Sequence, residues 1–320
     1  MDTTANDHPL AADGIRTIDT AMAAQRELNA AYLIGSDEPC LVESGPGADG
    51  PVVRAALGAL GVGPQDLAHI VVTHIHMDHA GGAGGLLGRF PNATLWVHER
   101  GVRHVVDPAR LIASTARTYG EARMRTLYGE TLPCPAGRVR SMVDGDTIAI
   151  GDRSLEVIAT PGHATHHVAL HETSSGAMFT GEAIGSHLPW ADCYRPALPP
   201  PEADVEAAIE SIARMRDRRP TTLLASHFGV VADPEEGFAR GAERIRAWAE
   251  TVRARLAREP GTGTDALERE LVVQARAEYE SDSGLSFDIG RYDAIGSIRM
   301  NAEGLARYWR KRWEREASSA

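Results

Sequence analysis

Four side chains that can bind a divalent metal lie within six consecutive residues of this sequence. His74, His76, Asp78 and His79 form the pattern HxHxDH. Neutral imidazole nitrogens and carboxylate oxygens are ligands that zinc, iron and manganese accept. Because a regular strand or helix cannot point all four side chains in one direction, we predict that they face two metal ions. A set of solvent-exposed loop histidines is the alternative interpretation.

The elements around this motif predict that it lies at the end of a buried strand. Residues 70–72 are Ile-Val-Val, which is typical of a short strand, and a glycine pair turns the chain after the motif. Residues 29–34 and 39–42 indicate a hairpin before it, and residues 52–60 have the periodicity of a helix. Strands that alternate with helices in this way predict an α/β fold.

The HxHxDH segment resembles a signature of the metallo-β-lactamase superfamily, and the resemblance continues downstream. The sequence TPGH at His163 resembles that family's third motif, TGE at Glu182 occupies the place of the fourth, and SHFG at His227 resembles the last. The resemblance covers roughly residues 15–240. It implies an αββα four-layer sandwich, and the branch that contains glyoxalase II and lactonases is the most similar.

The resemblance also implies how the side chains are shared between two ions. One ion would be bound by His74, His76 and His163, the other by Asp78, His79 and His227, and Glu182 would bridge them. Two ions about 3.5–4 Å apart can share a water, lower its pKa and stabilise the charge that develops as it attacks a carbonyl or phosphoryl centre. Asp78 is also a candidate catalytic residue, which would orient the hydroxide or carry a proton to the leaving group.

Two carboxylates depart from the family pattern. Relatives place aspartate where this chain has Glu182, and the extra methylene lengthens the side chain by ~1.5 Å. Glu182 could therefore bridge both ions, bind one of them, or leave only one site tight. Zinc is the first expectation, but iron and manganese are alternatives because carboxylate bridges suit them too. Glu43 stands where relatives usually have a supporting aspartate, and a surface carboxylate is the alternative interpretation.

The ligand set favours a dinuclear metal-dependent hydrolase that attacks a small ester, lactone or thioester with a hydroxide bridging the two ions. A diiron oxygenase or redox enzyme on the same fold is one alternative, and a non-catalytic ligand-binding protein is another. The proline-rich segment 184–201 is a candidate pocket wall. In it, Tyr194 is a second candidate catalytic residue because its hydroxyl could donate to an oxyanion. Ordinary packing of the loop is the alternative explanation for Tyr194.

The composition bears on partners and compartment. The formal net charge of −11 argues against nucleic-acid binding, which needs a basic face. Three unevenly spaced cysteines fit a reducing compartment better than a disulfide scaffold. No signal-like or membrane-spanning apolar segment is evident. We therefore expect a cytoplasmic protein with a small-molecule substrate and no nucleic acid or membrane partner. A homodimer is left open.

Three regions are expected along the chain. Residues 1–14 are predicted to form a poorly ordered tail and residues 15–240 the metallo-β-lactamase-like domain. Residues 241–320 are rich in charged residues with helical spacing, and are predicted to form a C-terminal helical extension. Residues 102–137 interrupt the strand pattern and are a candidate lid or pocket wall, whose mobility the pattern leaves open.

Overall fold

The computed structural model describes residues 8–319, and the strands in that range form two large sheets and a two-stranded ribbon. The strands are β1 Leu10–Ala12, β2 Ile15–Asp19, β3 Ala30–Ile34, β4 Cys40–Val42, β5 His69–Val71, β6 Thr94–His98, β7 Val139–Met142, β8 Thr147–Ile150, β9 Arg153–Ala159, β10 Val168–Glu172, β11 Ala177–Gly181, β12 Ser186–Leu188, β13 Cys193–Arg195, β14 Thr222–Ala225 and β15 Gly229–Val231. The first sheet has the order β1-β2-β3-β4-β5-β6-β7 and the second β15-β14-β11-β10-β9-β8.

Helices lie between the strands along the chain, and some of them cover the outer faces of the sheets. They are α1 Gly50–Ala59, α2 Met77–Ala80, α3 Ala83–Arg89, α4 Val102–Val106, α5 Ala109–Tyr119, α6 Glu121–Tyr128, α7 Val205–Arg216, α8 Pro234–Arg258, α9 Thr264–Ser283, α10 Ile289–Tyr292 and α11 Ser297–Ser319. The two sheets pack face to face around a shared apolar core, with α1 and α3 outside the first sheet and α7 and α8 outside the second. This arrangement is the predicted αββα sandwich.

Strand alternation explains why both faces of the first sheet are apolar. On β3, Tyr32 points into the core between the sheets, whereas its neighbour Leu33 packs with the outer helices. On β5, Val71 likewise points into the core between the sheets, and Ile70 packs with the outer helices. Because successive side chains of a strand point to opposite faces, a continuous apolar run is what a sheet covered on both sides requires.

The C-terminal helices pack on the second sheet rather than standing apart from it. Helix α8 begins at Pro234, where Asp233 accepts a hydrogen bond from the Glu236 amide at 3.1 Å and caps the helix. One apolar cluster joins Met178 of the sheet to residues of α8, α9 and α11. The boundary expected at residue 240 thus lies inside a continuous helix. The segment 259–263 separates α8 from α9.

The N-terminal region is more regular than the sequence suggests, in the part that the structure describes. Strand β1 pairs antiparallel with β2, which extends the first sheet by one strand within the expected tail. Residues 1–7 of that tail lie outside the described residues. Among the helices described above, none combines the length and apolar character that crossing a membrane requires.

Candidate metal centre

The predicted ligands come together where several strands of the two sheets end. His74 and His76 follow β5, and Asp78 and His79 lie on the short helix α2. The other three follow β9, β11 and β14, and they are His163, Glu182 and His227. Strands β11 and β14 are parallel, so their carboxyl ends meet at one edge. The fold therefore gathers side chains that are up to 153 residues apart in the sequence.

A first group of donor atoms consists of three imidazoles and one carboxylate. His76 Nδ1 lies 3.1 Å from His74 Nε2 and 2.8 Å from His163 Nε2. Glu182 Oε2 lies 2.9 Å from His163 Nε2 and 3.4 Å from His74 Nε2. Ligands at zinc distances in a tetrahedron are separated by roughly 3.3–3.6 Å. The group is therefore slightly compact but close to the geometry that one ion requires.

A second group contains one carboxylate and two imidazoles. Asp78 Oδ2 lies 3.3 Å from His227 Nε2 and 3.7 Å from His79 Nε2. Both imidazole nitrogens are buried and have no hydrogen-bond partner. A buried polar atom without a partner is costly, and a bound ion would satisfy both nitrogens at once. This observation is the clearest sign that the second group also fits a cation.

Glu182 lies between the two groups. Besides its contacts with the first group, its Oε2 is 3.5 Å from His79 Nε2 and its Oε1 is 3.7 Å from His227 Nε2. The longer side chain of glutamate thus reaches both groups from the end of β11. Of the three uses that the sequence left open for this residue, the geometry favours the bridge.

Backbone carbonyls hold the outer nitrogen of two of the candidate ligand histidines. His163 Nδ1 donates to the Ala197 carbonyl at 2.9 Å, and His227 Nδ1 donates to the Leu28 carbonyl at 2.7 Å. A proton on Nδ1 leaves the Nε2 lone pair free to face an ion. These hydrogen bonds therefore fix both the tautomer and the orientation of the rings.

Glu43 supports the second group from behind. Its Oε1 lies 3.2 Å from His79 Nδ1, and the hydroxyls of Thr73 and Ser226 donate to it at 2.6 and 2.8 Å. The residue is only 1% exposed, so its interpretation as a surface carboxylate is wrong. The carboxylate draws the His79 proton to Nδ1 and raises the basicity of Nε2.

Burial and the neighbouring charges shift the pKa values at the centre in different directions. Burial and the neighbouring imidazoles lower the pKa of His74 and His76, so both rings are uncharged and each can offer a nitrogen lone pair to a metal ion. Burial alone would raise the pKa of Asp78, but the nearby imidazoles outweigh burial and lower the pKa to about 2. Although burial opposes a proton on His79, the Asp78 and Glu43 carboxylates raise its pKa. The negative charge of these carboxylates favours a divalent cation as well as a proton. The cation and the proton compete for the Nε2 lone pair of His79.

A cavity of about 250 Å³ opens above the donor groups, and it includes walls that the sequence motifs do not indicate. Helices α5 and α6 of the segment 102–137 contribute Tyr119 and Tyr128, and α11 contributes Met300 and Asn301. The predicted pocket wall in this segment is therefore present. Helical spacing was the only signal that these residues carried, and it is equally typical of core packing.

Tyr194 lies elsewhere, which corrects its predicted catalytic role. It is on β13, is 2% exposed and packs in the apolar cluster beneath α8. The Arg240 guanidinium lies 4.8 Å from its ring centroid. Tyr194 does not line the cavity above the donor groups. Ordinary packing, the alternative explanation, accounts for it because the ribbon of β12 and β13 turns this side chain into the core.

Comparisons with known proteins bear on the family of this chain. A family model described as the metallo-β-lactamase superfamily matches residues 25–227. The hydroxyacylglutathione hydrolase of Aeromonas hydrophila is 32% identical over 200 residues, which cover 62% of this chain and 61% of that enzyme. An acyl-coenzyme A thioesterase of Gallus gallus is 29% identical over 177 residues, which cover 49% of this chain and 58% of that protein. The chain therefore spans less than two thirds of the length of either relative.

The similarity of fold extends over the C-terminal helices. A β-lactamase domain protein from Burkholderia ambifaria superimposes with a TM-score of 0.66 at 20% identity, covering 99% of this chain and 90% of that one. This likeness shows the fold alone, whereas the family model covers more than half of the chain and includes all seven gathered ligands. The chain belongs to the metallo-β-lactamase superfamily.

Proposed function

We propose that this protein is a metal-dependent hydrolase that cleaves a small thioester, ester or lactone at a two-ion centre. The observation that carries the proposal is the pair of donor groups joined by Glu182 at one side of the cavity. The two unpartnered nitrogens of His79 and His227 add support, because they point to an ion at the second group as well. Zinc is the metal we favour, since imidazole dominates both groups.

Each part of the site has a role in such a reaction. Two bound ions would lower the pKa of a shared water and polarise a carbonyl oxygen. The protein would hold the ions through the two groups and exclude bulk water with the walls from α5 and α11. Asp78 lines the cavity and is ionised, so its carboxylate can orient the attacking water or relay a proton from that water to the leaving group.

A thioester is the substrate class that we favour. The Aeromonas relative is named for an acylglutathione and the Gallus relative for acyl-coenzyme A, and both compounds are thioesters. A thiolate leaves readily, so the main requirement is an activated water beside a bound acyl group. The cavity volume of about 250 Å³ suits a small acyl group rather than a whole carrier molecule.

The experiment that tests the proposal combines metal analysis with a substrate panel. We expect close to two zinc ions per chain and turnover of a simple thioester, with weaker turnover of esters and lactones. His76→Ala should abolish turnover and lower metal content, whereas His171→Ala, which removes a half-buried histidine beside Glu156 of the second sheet, should do neither. Protein with two irons that consumes oxygen and hydrolyses none of the panel would contradict the proposal and favour a diiron enzyme.

A further inference from the structure

The charged side chains that line the cavity above the metal centre are mainly carboxylates. Among the described residues, three carboxylates line it and no arginine or lysine does. Two of those carboxylates, Asp78 and Glu182, belong to the donor groups, where bound ions would neutralise them. The third, Glu202, lies outside the donor groups and has no ion to neutralise it.

Glu202 is fixed in place and carries no cationic partner in the described part of the chain. Its Oε2 accepts a hydrogen bond from the Thr165 amide at 2.8 Å, and the Thr165 hydroxyl donates to its Oε1 at 3.0 Å. It directly follows the three prolines 199–201, which restrict the backbone that carries it. Glu202 also lines a neighbouring surface groove, so it lies at the boundary between groove and cavity.

The arginines of the neighbouring groove and of the adjoining cavity do not line the main cavity. Arg100 and Arg103 line only the neighbouring groove, on the other side of Glu202. Arg299 lines an adjoining cavity and is engaged by Asp265 and Glu268, at 2.8 and 2.7 Å. An anionic group inside the main cavity would therefore meet the Glu202 charge without a compensating arginine or lysine.

The rest of the cavity wall offers apolar surface and hydroxyls. The apolar side chains include Ile75, Met77, Leu111, Leu198, Ile295 and Met300. Ser114, Thr115 and Thr118 of α5 also line the cavity, and the Thr115 and Thr118 hydroxyls donate to helix carbonyls, which leaves them to act as neutral acceptors. Chemistry of this kind fits an uncharged acyl chain.

We propose that the cavity selects uncharged acyl groups and that Glu202 is the specificity-determining residue that excludes anionic ones. This inference rests on the proposed hydrolase function and names the substrate class of the same site. A like charge beside a bound anionic group opposes its binding and leaves an uncharged group of equal size unaffected, so one fixed carboxylate can shift the choice between the two.

The test compares two thioesters of one neutral thiol. Butyryl and succinyl thioesters of N-acetylcysteamine have similar acyl lengths and differ by one carboxylate. We expect the wild-type kcat/KM to favour the butyryl compound by about 30-fold or more, and Glu202→Gln to narrow that ratio by about 5–10-fold, chiefly through a gain for the succinyl compound. Glu202→Ala also removes the charge and, unlike Glu202→Gln, places no side-chain amide against the Thr165 N–H.

Glu99→Gln is the matched control, because Glu99 lines the neighbouring groove but not the cavity. It should leave the ratio unchanged, and thermal unfolding should show that all variants are folded. Equal wild-type rates on the two thioesters, or a Glu202→Gln variant whose ratio equals that of wild type, would overturn the inference while leaving the hydrolase intact. Turnover of neither thioester by metal-loaded protein would instead overturn the proposed function and this inference with it.

Discussion

His167 Nε2 accepts a hydrogen bond from the backbone N–H of Glu182 over 3.0 Å. Burial lowers the pKa of His167, so the ring is neutral, and its Nδ1–H donates to the Thr160 hydroxyl at 2.7 Å. Gly181 makes this contact possible, because it has φ +54° and a Cβ there would lie 2.4 Å from His167 Nε2. The carboxylate between the two donor groups is therefore positioned through its main chain.

Glu182→Asp should cost the site one ion. The side chain shortens by ~1.5 Å, and the backbone cannot follow because His167 holds the amide. The carboxylate would then withdraw from at least one donor group, so we expect metal content to fall from two ions towards one and kcat to drop by about 10–100-fold. Metal analysis and turnover of a thioester measure both effects. Glu156→Asp, outside the centre, is the control, and full two-ion occupancy in Glu182→Asp would refute the bridging role.

Glu43→Gln should weaken the second donor group selectively. An amide can place an N–H opposite His79 Nδ1 and cannot supply the negative charge that fixes the tautomer. We expect the affinity for the more weakly held ion to fall by about 10–100-fold, measured by competition with a chelator. The control is Glu38→Gln, since Glu38 also contacts a histidine, His69 at 3.1 Å, but on the surface. Equal affinities in Glu43→Gln and wild type would count against the supporting role.

The sequence predicts which side chains come together in the donor groups better than it predicts the cavity walls, for a physical reason. His74, His76 and His163 sit in short motifs at strand ends, where few other roles explain their spacing. The cavity walls come from α5 and α11, whose apolar residues have the same spacing whether they face a core or a ligand. The position of Tyr194 in the chain predicts that it lies near the site, but the turn of the ribbon decides which way a strand residue points.

Tyr119→Phe should lower activity, whereas Tyr194→Phe should not. Tyr119 lines the cavity, its ring packs edge-on against that of Tyr128 with centroids 5.6 Å apart, and burial raises its pKa to about 12, so its hydroxyl keeps a proton that it can donate. We expect kcat/KM of Tyr119→Phe to fall by about 10–100-fold with metal content unchanged. Steady-state kinetics on one thioester compare the two variants. A larger loss of kcat/KM in Tyr194→Phe than in Tyr119→Phe would support Tyr194 as the catalytic tyrosine.

Asn301 connects the C-terminal helix to the first donor group. It is 1% exposed, its Oδ1 accepts from the Leu198 amide at 2.9 Å, and its Nδ2 donates to the Pro196 carbonyl at 2.7 Å. The residue between those two, Ala197, supplies the carbonyl that orients His163. Helix α11 therefore fixes the loop on which one metal ligand depends.

Asn301→Leu should loosen this loop and reduce metal affinity. Leucine has a similar size but leaves the Leu198 amide and the Pro196 carbonyl without partners, so the acceptor for His163 Nδ1 is no longer held in place. We expect the affinity for an ion to fall by about 10-fold in chelator competition, together with a lower unfolding temperature. Ile298→Val, a fully buried change on the same helix, should lower the unfolding temperature without changing the affinity. Equal metal affinities in the two variants would mean that Asn301 stabilises the fold but does not support the metal site.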